Sequence, residues 1–261
     1  GLITKIILRL QPLPTAQVVL LVPFADARSA IAAVPQIMTR ARVVPAAIEF
    51  MDQRSVEQGY RLLGERPPRP GIGALLLIEV DGTSQTQVEA EYNAVVDLCL
   101  ELGALDAYVG DTPGKGRKMW QPRQKLADGL TQLYPIQSAE DLVVPPAQIP
   151  DLLEQMDDYV SRHGVEYIAY GHAGDGNLHI RILKPETMPD EQWQAGATAR
   201  TEDLYRRVAA LGGTITAEHG IGTKLSQYLP LVLSPALIEL QKRIKTAFDP
   251  NDILNPGKIF P

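Results

Sequence analysis

Residues 166–183 read EYIAYGHAGDGNLHIRIL, and no other stretch restricts the fold as strongly. Two runs rich in β-forming residues flank Asp175-Gly176, and an Asp-Gly pair between such runs is a strong short-range hairpin signal. A hairpin makes its two strands antiparallel neighbours, which argues against a purely parallel, doubly wound sheet for this half of the chain. A two-residue turn would pair 174 with 177, 173 with 178 and 172 with 179. His172 would then face His179 across the hairpin, with Cβ atoms about 4.5–5.5 Å apart.

The rest of the chain reads as strands backed by helices. QVVLLVP (17–23) is a β-rich run, and Ala30, Ile31, Val34 and Ile37 or Met38 then recur at helical spacing. AAIEFMD is a short strand, GERPPRPGIG (64–73) a Pro/Gly loop, and ALLLIEVDG (74–82) a strand closed by a turn. Thr83 or Ser84 caps a helix carrying Val88, Tyr92, Val95, Cys99 and Leu102, and Gly103 stops it. From Val143 the order begins again: VVPPAQIPDLLEQMDDYVSRHG echoes LVPFADARSAIAAVPQIMTR. The hairpin follows, then a helix around 191–211 ended by Gly212-Gly213, then TITAE as a strand. The pattern predicts an α+β fold of two similar units, about 15–110 and 140–220, each an antiparallel sheet backed by helices.

Composition narrows the function. The chain has 25 Lys and Arg against 31 Asp and Glu, so it offers no basic face for phosphates and no nucleic-acid partner is expected. Its single cysteine, Cys99, lies in an apolar-periodic run and reads as a buried structural thiol. No apolar run approaches the roughly 18 residues of a membrane span. The chain reads as soluble and cytoplasmic, with room for peripheral association with a membrane. GIGALL lacks the third glycine of a dinucleotide fingerprint and precedes a strand, and GKGRK lacks P-loop spacing. Between the halves, Lys115, Arg117, Lys118, Arg123 and Lys125 form a basic cluster whose ordinary role is a solvated face. The opening GLITKIILRLQPLP is a strand-like apolar run that reads as the middle of a longer chain.

Three of the four histidines fall in GHAGDGNLH and TAEHGIG. Two facing imidazoles suit one metal ion at nitrogen distances of about 2.0–2.1 Å, provided a third ligand arrives. Glu218, at the end of the expected strand TITAE, is the candidate, and the alternation of a strand turns His219 to the opposite side, toward a substrate. Two histidines and one carboxylate with open positions form a catalytic pattern of metal ligation. His163, at a helix end beside Gly164, reads as structural.

GHAGDGNLH, GGTITAEHGIGTKL and FDPNDILNPGKIF, in this order, resemble the C-terminal cap domain of FAD-linked oxidases of the vanillyl-alcohol oxidase type. The branch is that of the glycolate oxidase subunit, D-lactate dehydrogenase and D-2-hydroxyglutarate dehydrogenase. The resemblance implies two ferredoxin-like units in the cap. Residues 1–14 would be the junction from an upstream FAD-binding domain absent from this chain, 15–248 the cap or substrate domain, and 249–261 a tail returning toward the flavin. It also implies that His172, His179 and Glu218 hold a divalent metal of the Zn2+ kind. His219 would be the catalytic base, Arg123 and Asn177 substrate-binding residues, and Asn255 and Lys258 cofactor-binding residues, with Lys224 a recurrent basic position of open role. FAD would be bound mainly by the missing half, and this chain alone would be inactive. The implied substrate is a small 2-hydroxy acid, and the implied partners are the chain's own FAD-binding domain and an electron acceptor (quinone, cytochrome or electron-transfer protein). A homodimer is compatible with the pattern. Ala127 and Ala139 stand near positions where D-2-hydroxyglutarate-type members carry a hydroxyl residue and a lysine, which favours glycolate or D-lactate. The alternatives are a stand-alone metal- or ligand-binding module, a subunit docking on a separate flavoprotein, and, from GDGN alone, a metallophosphoesterase without the early Asp-x-His pair.

Overall fold

The computed structural model describes residues 3–10 and 12–260. The first unit runs β1 (Ala16–Phe24), α1 (Ala27–Thr39), β2 (Ala47–Asp52), α2 (Gln53–Leu62), β3 (Ala74–Gly82), α3 (Gln85–Glu101) and β4 (Tyr108–Gly110). A long helix, α4 (Pro113–Leu133), leads to the second: β5 (Gln137–Val143), α5 (Ile149–His163), β6 (Glu166–His172), β7 (Asn177–Leu183), α6 (Asp190–Ala195) and α7 (Ala197–Ala210). Then comes α8 (Pro235–Phe248). The strands form one seven-stranded antiparallel sheet in the order β4-β1-β3-β2-β6-β7-β5. Its first four strands follow the ferredoxin-like β-α-β-β-α-β path, and β5-α5-β6-β7-α7 begins that path again. The units join where β2 pairs with β6, setting Glu49 against His172 and Met51 against Tyr170.

Local chemistry explains the elements. Asp26, Ser84, Thr112 and Ser234 each turn a side-chain oxygen onto a backbone N–H of the helix that follows, satisfying a donor that has no partner within the helix. Asp52 does more: Oδ1 accepts from the Ser55 N–H and hydroxyl, and Oδ2 from the Ala169 N–H. One buried carboxylate thus fastens β2, α2 and β6.

Alternation along the strands divides the sheet into two faces. One carries the large core of Leu20, Phe24, Phe50, Leu76 and Ile180 under α1, α3, α5 and α7, with Cys99 buried in it. The other carries a smaller core of Leu21, Met51, Leu75, Leu77 and Tyr170 under α2 and α4, with Leu126 and Leu130 of α4 fully buried. Glycine lets those two helices approach closely. A Cβ on Gly59 would lie 2.7 Å from the Pro122 carbonyl oxygen, and one on Gly129 would lie 2.6 Å from Leu62 Cδ1. Gly129 is thus a contact point of the 21-residue helix α4, and Gly116, where a Cβ would lie 3.1 Å from Val19, is another.

Four expectations change. The β6–β7 register sets His172 opposite Asn177 and His179 opposite Tyr170. Residues 173–176 are all in the turn, and the Asp175 carboxylate accepts from the Asn177 N–H. TITAE is not a strand: only Thr214 bridges, to Val143. The helix expected over 191–211 is two, divided at Gly196, where a Cβ would meet the Arg200 guanidinium at 2.5 Å. Residues 3–10 form no strand and are exposed. No helix among the described residues is long and apolar enough to cross a membrane.

Candidate metal centre

With a four-residue turn, His172, Asn177 and His179 share one face of the sheet, since 177 lies opposite 172 and 179 lies two residues on. His172 and His179 are thus diagonal neighbours. Their ring centroids lie 5.8 Å apart with the rings nearly perpendicular. Glu218 completes the group: one ligand atom from each of His172, His179 and Glu218 lies within 4.8 Å of the others. Ligands on a tetrahedral ion with bonds of about 2.0–2.2 Å sit roughly 3.4 Å apart. The exposed Glu218 side chain has the freedom to close that difference.

Each histidine stands beside a buried carboxylate. His172 Nδ1 lies 2.6 Å from Glu49 Oε1, a contact that makes Nδ1 the donor and leaves Nε2 to face the cluster. Glu49 is 6% exposed and also accepts from Arg123 Nε at 2.8 Å. Behind His179 stands Asp141 on β5, directly opposite it in the ladder. His179 Nδ1 lies 3.6 Å from Asp141 Oδ1, a buried oxygen without a hydrogen-bond partner in the structure. Burial, and then the charge of Arg123, hold the His179 ring below its usual 6.5. A neutral ring is the form that ligates a metal.

Glu218 and His219 stand on a loop. Asp141 Oδ2 accepts the three consecutive N–H groups of Ala217, Glu218 and His219 at 3.0, 2.9 and 3.0 Å, and lies 3.4 Å from the Thr216 hydroxyl. Burial raises the Asp141 carboxyl, but the amides of His219, Glu218 and Ala217 outweigh it and hold the group below its ordinary range. The His219 side chain is 67% exposed, with Nε2 4.0 Å from Glu218 Oε1, and its ring stacks at 5.9 Å on that of His179.

The remaining expected residues lie as follows. Arg123 of α4 is 12% exposed, with its guanidinium 4.6 Å from the centre of the Tyr170 ring. Its Nε is engaged by Glu49, so the Nη nitrogens are what it can offer a ligand. Asn177 is buried, and its Oδ1 has no partner. Lys224 Nζ reaches the Ala139 carbonyl and both oxygens of Glu140, which lies on the opposite face of β5 from Asp141. Asn255 and Lys258 form a tight turn, Lys258 N–H donating to the Asn255 carbonyl. They line a recess of about 380 Å³ with Ile244, Phe248, Leu254 and Phe260. Glu49 and Asp141 were not anticipated. The signal was present in AIEF and AEDLVV, where an acid interrupts an apolar strand and so requires partners inside.

A family model described as "FAD linked oxidases, C-terminal domain" matches residues 13–259. The chain belongs to that family. Within it, the chain is 33% identical over 264 residues to a D-lactate dehydrogenase of Anaerostipes hadrus, covering 99% of this chain and 55% of the relative. It is 31% identical over 262 residues to the glycolate oxidase subunit GlcD of Bacillus subtilis, covering 100% of this chain and 54% of the relative. The family member described here therefore spans about half the length of these curated relatives. Among solved structures, p-cresol methylhydroxylase with substrate bound shares the fold, with a TM-score of 0.68 at 18% identity over 95% of this chain and 53% of that one.

Proposed function

We propose that this chain is the substrate- and metal-binding part of an FAD-dependent dehydrogenase or oxidase of small 2-hydroxy acids, of the D-lactate or glycolate class. The observation that carries the reading is the convergence of His172, His179 and Glu218 within 4.8 Å beside the exposed His219, in a chain whose relatives are named as D-lactate dehydrogenase and glycolate oxidase. The donor set suits a divalent ion of the zinc type: two imidazoles, each beside a buried carboxylate, and one exposed carboxylate. When bound, such an ion supplies Lewis-acid polarisation of the substrate hydroxyl, and FAD, held mainly outside these residues, supplies the hydride acceptor.

The chain's own residues do the rest. The Nη nitrogens of Arg123 hold the substrate carboxylate, and Glu49 fixes their direction through Nε. Asn177 presents its buried side-chain amide to the substrate from the base of the site. His219 takes the 2-hydroxyl proton on a ring nitrogen, and its exposure lets that proton pass on to water. On the site-facing side of β5, position 139 is an alanine, and the nearby Lys224 is held by Glu140. Position 139 thus offers a second carboxylate no cation of its own, and Arg181 opposite it donates through Nε to the Tyr170 hydroxyl, which favours monocarboxylic substrates.

The test is turnover of D-lactate, glycolate and D-2-hydroxyglutarate by protein that carries this chain together with its flavin. The reading predicts activity on one of the first two, lost about 10²–10⁴-fold in His219→Ala with bound metal retained. Full activity in that variant would contradict the role of His219. Activity confined to the dicarboxylic acid would contradict the substrate class.

A further inference from the structure

In the second unit, the strand that would complete the ferredoxin-like path is reduced to one bridge. Val143 and Thr214 exchange both backbone hydrogen bonds, Val143 N–H to Thr214 O at 3.1 Å and Thr214 N–H to Val143 O at 2.8 Å. Continued antiparallel pairing would set Thr216 beside Asp141 and Glu218 beside Ala139. The chain instead leaves the sheet. A ladder would have used the amides of Thr216 and Glu218; instead the successive amides of Ala217, Glu218 and His219 converge on one side-chain oxygen, Asp141 Oδ2. Three successive N–H groups pointing at one anion form a concave nest, here filled by the protein's own carboxylate. The partner is a buried acid with no lysine or arginine among its partners, so those amides are what compensates its charge.

We infer that Asp141 is a positioning residue of the site: it ends the sheet after Thr214 and sets Glu218 and His219 in place before any metal arrives, while its second oxygen faces His179 Nδ1. This inference rests on the metal reading above for its consequence and not for its geometry. The sheet supplies the histidines at fixed register, and a single acid on the edge strand supplies the loop. Lys224 closes the same loop from the other side, because the neighbouring residue, Glu140, projects through the opposite face of β5 and accepts two of its three contacts there, the third going to the Ala139 carbonyl.

The experiment uses the 261-residue chain in wild-type and Asp141→Asn forms. One readout is amide hydrogen exchange of residues 214–222 in metal-free protein, and the other is Co2+ affinity by competition with a chelator. Metal-free wild type should protect the amides of 217–219. Asp141→Asn should exchange them at least about tenfold faster with β6 and β7 unchanged, and should bind Co2+ about 10–100-fold more weakly. Exchange of 217–219 at the rate of an unstructured peptide in metal-free wild type would overturn the inference, whether or not the variant folds. So would unchanged protection together with lost Co2+ binding in the variant, since Asp141 would then act as a ligand. If wild type bound no Co2+ at all, the metal reading would fail, and the exchange of 217–219 would still decide the role of Asp141.

Discussion

His172 and His179 stand on β6 and β7, inside a ladder of seven residue pairs, whereas Glu218 and His219 stand on a loop tied to the sheet by a single bridge. On the first side, position is over-determined. Strand register, the turn at 173–176 and Glu49 behind His172 all fix where the rings lie. On the second side, one carboxylate oxygen does most of the holding. Backbone pairing resists local change because many bonds must open together, while a loop held by one group opens when that group is altered. The cluster is therefore rigid where it meets the sheet and adjustable where it meets solvent.

The largest effect is expected behind His172. Replacing Glu49 by Leu strands the buried Arg123 and frees the His172 ring, which should cost about 3–5 kcal/mol in denaturant unfolding, as when one partner of a buried pair is removed. The variant should also lose metal. Next comes Leu126→Ala in α4, which opens a cavity in the smaller core and should cost about 2–5 kcal/mol. It tests whether the helix carrying Arg123 is held by packing. Lys224→Ala comes after these. It leaves Glu140 buried with the Tyr205 and Ser138 hydroxyls as partners, for a loss of about 1–3 kcal/mol. Faster exchange in 220–225 should accompany it.

The smallest effect is a matter of pH, and it separates two buried acids that both accept backbone amides. Burial pushes the Asp52 carboxyl up to about 6, against the opposing bonds from Ser55 and Ala169. The folded state then holds its proton more tightly than the unfolded chain, so the contribution of Asp52 is greatest below about pH 4 and is lost as pH rises toward 6. Asp141 runs the other way, since its folded value is depressed. Its contribution is present above the unfolded value near 4 and is lost as pH falls through the folded one. Asp52→Asn should flatten the stability profile between pH 4 and 6 by an amount of order 1–3 kcal/mol, with no effect on exchange in 214–222.

The sheet side was legible in sequence because its signals are periodic and local. The hairpin, the helix cap at Ser84, and the repeated strand, proline and helix order all follow from spacing. The register missed by two because Asp175 makes its own hydrogen bond to Asn177 N–H, which widens the turn to four residues. That shift moved His179 along the strand without changing its face, so the histidine pair survived the error. The loop side was legible only in its residue types. Whether Thr214–His219 continues as a strand depends on where its amides find acceptors, and the acceptor that wins is a side chain more than seventy residues earlier. No pattern within TITAE contains that information. The same holds for Gly116 and Gly129 of α4, whose meaning lies in their contacts with Val19 and Leu62 in the folded chain.

The central claim is that two histidines fixed by the ladder and one carboxylate on the loop hold a single divalent ion. Metal content after dialysis, measured on wild type and on His179→Ala, Glu218→Ala and His219→Ala in parallel, tests it most directly. The account predicts about one ion per chain in wild type and in His219→Ala, none in His179→Ala, and a weakly held ion in Glu218→Ala. A wild-type chain that retains no ion, or a His179→Ala chain that retains as much as wild type, would contradict it.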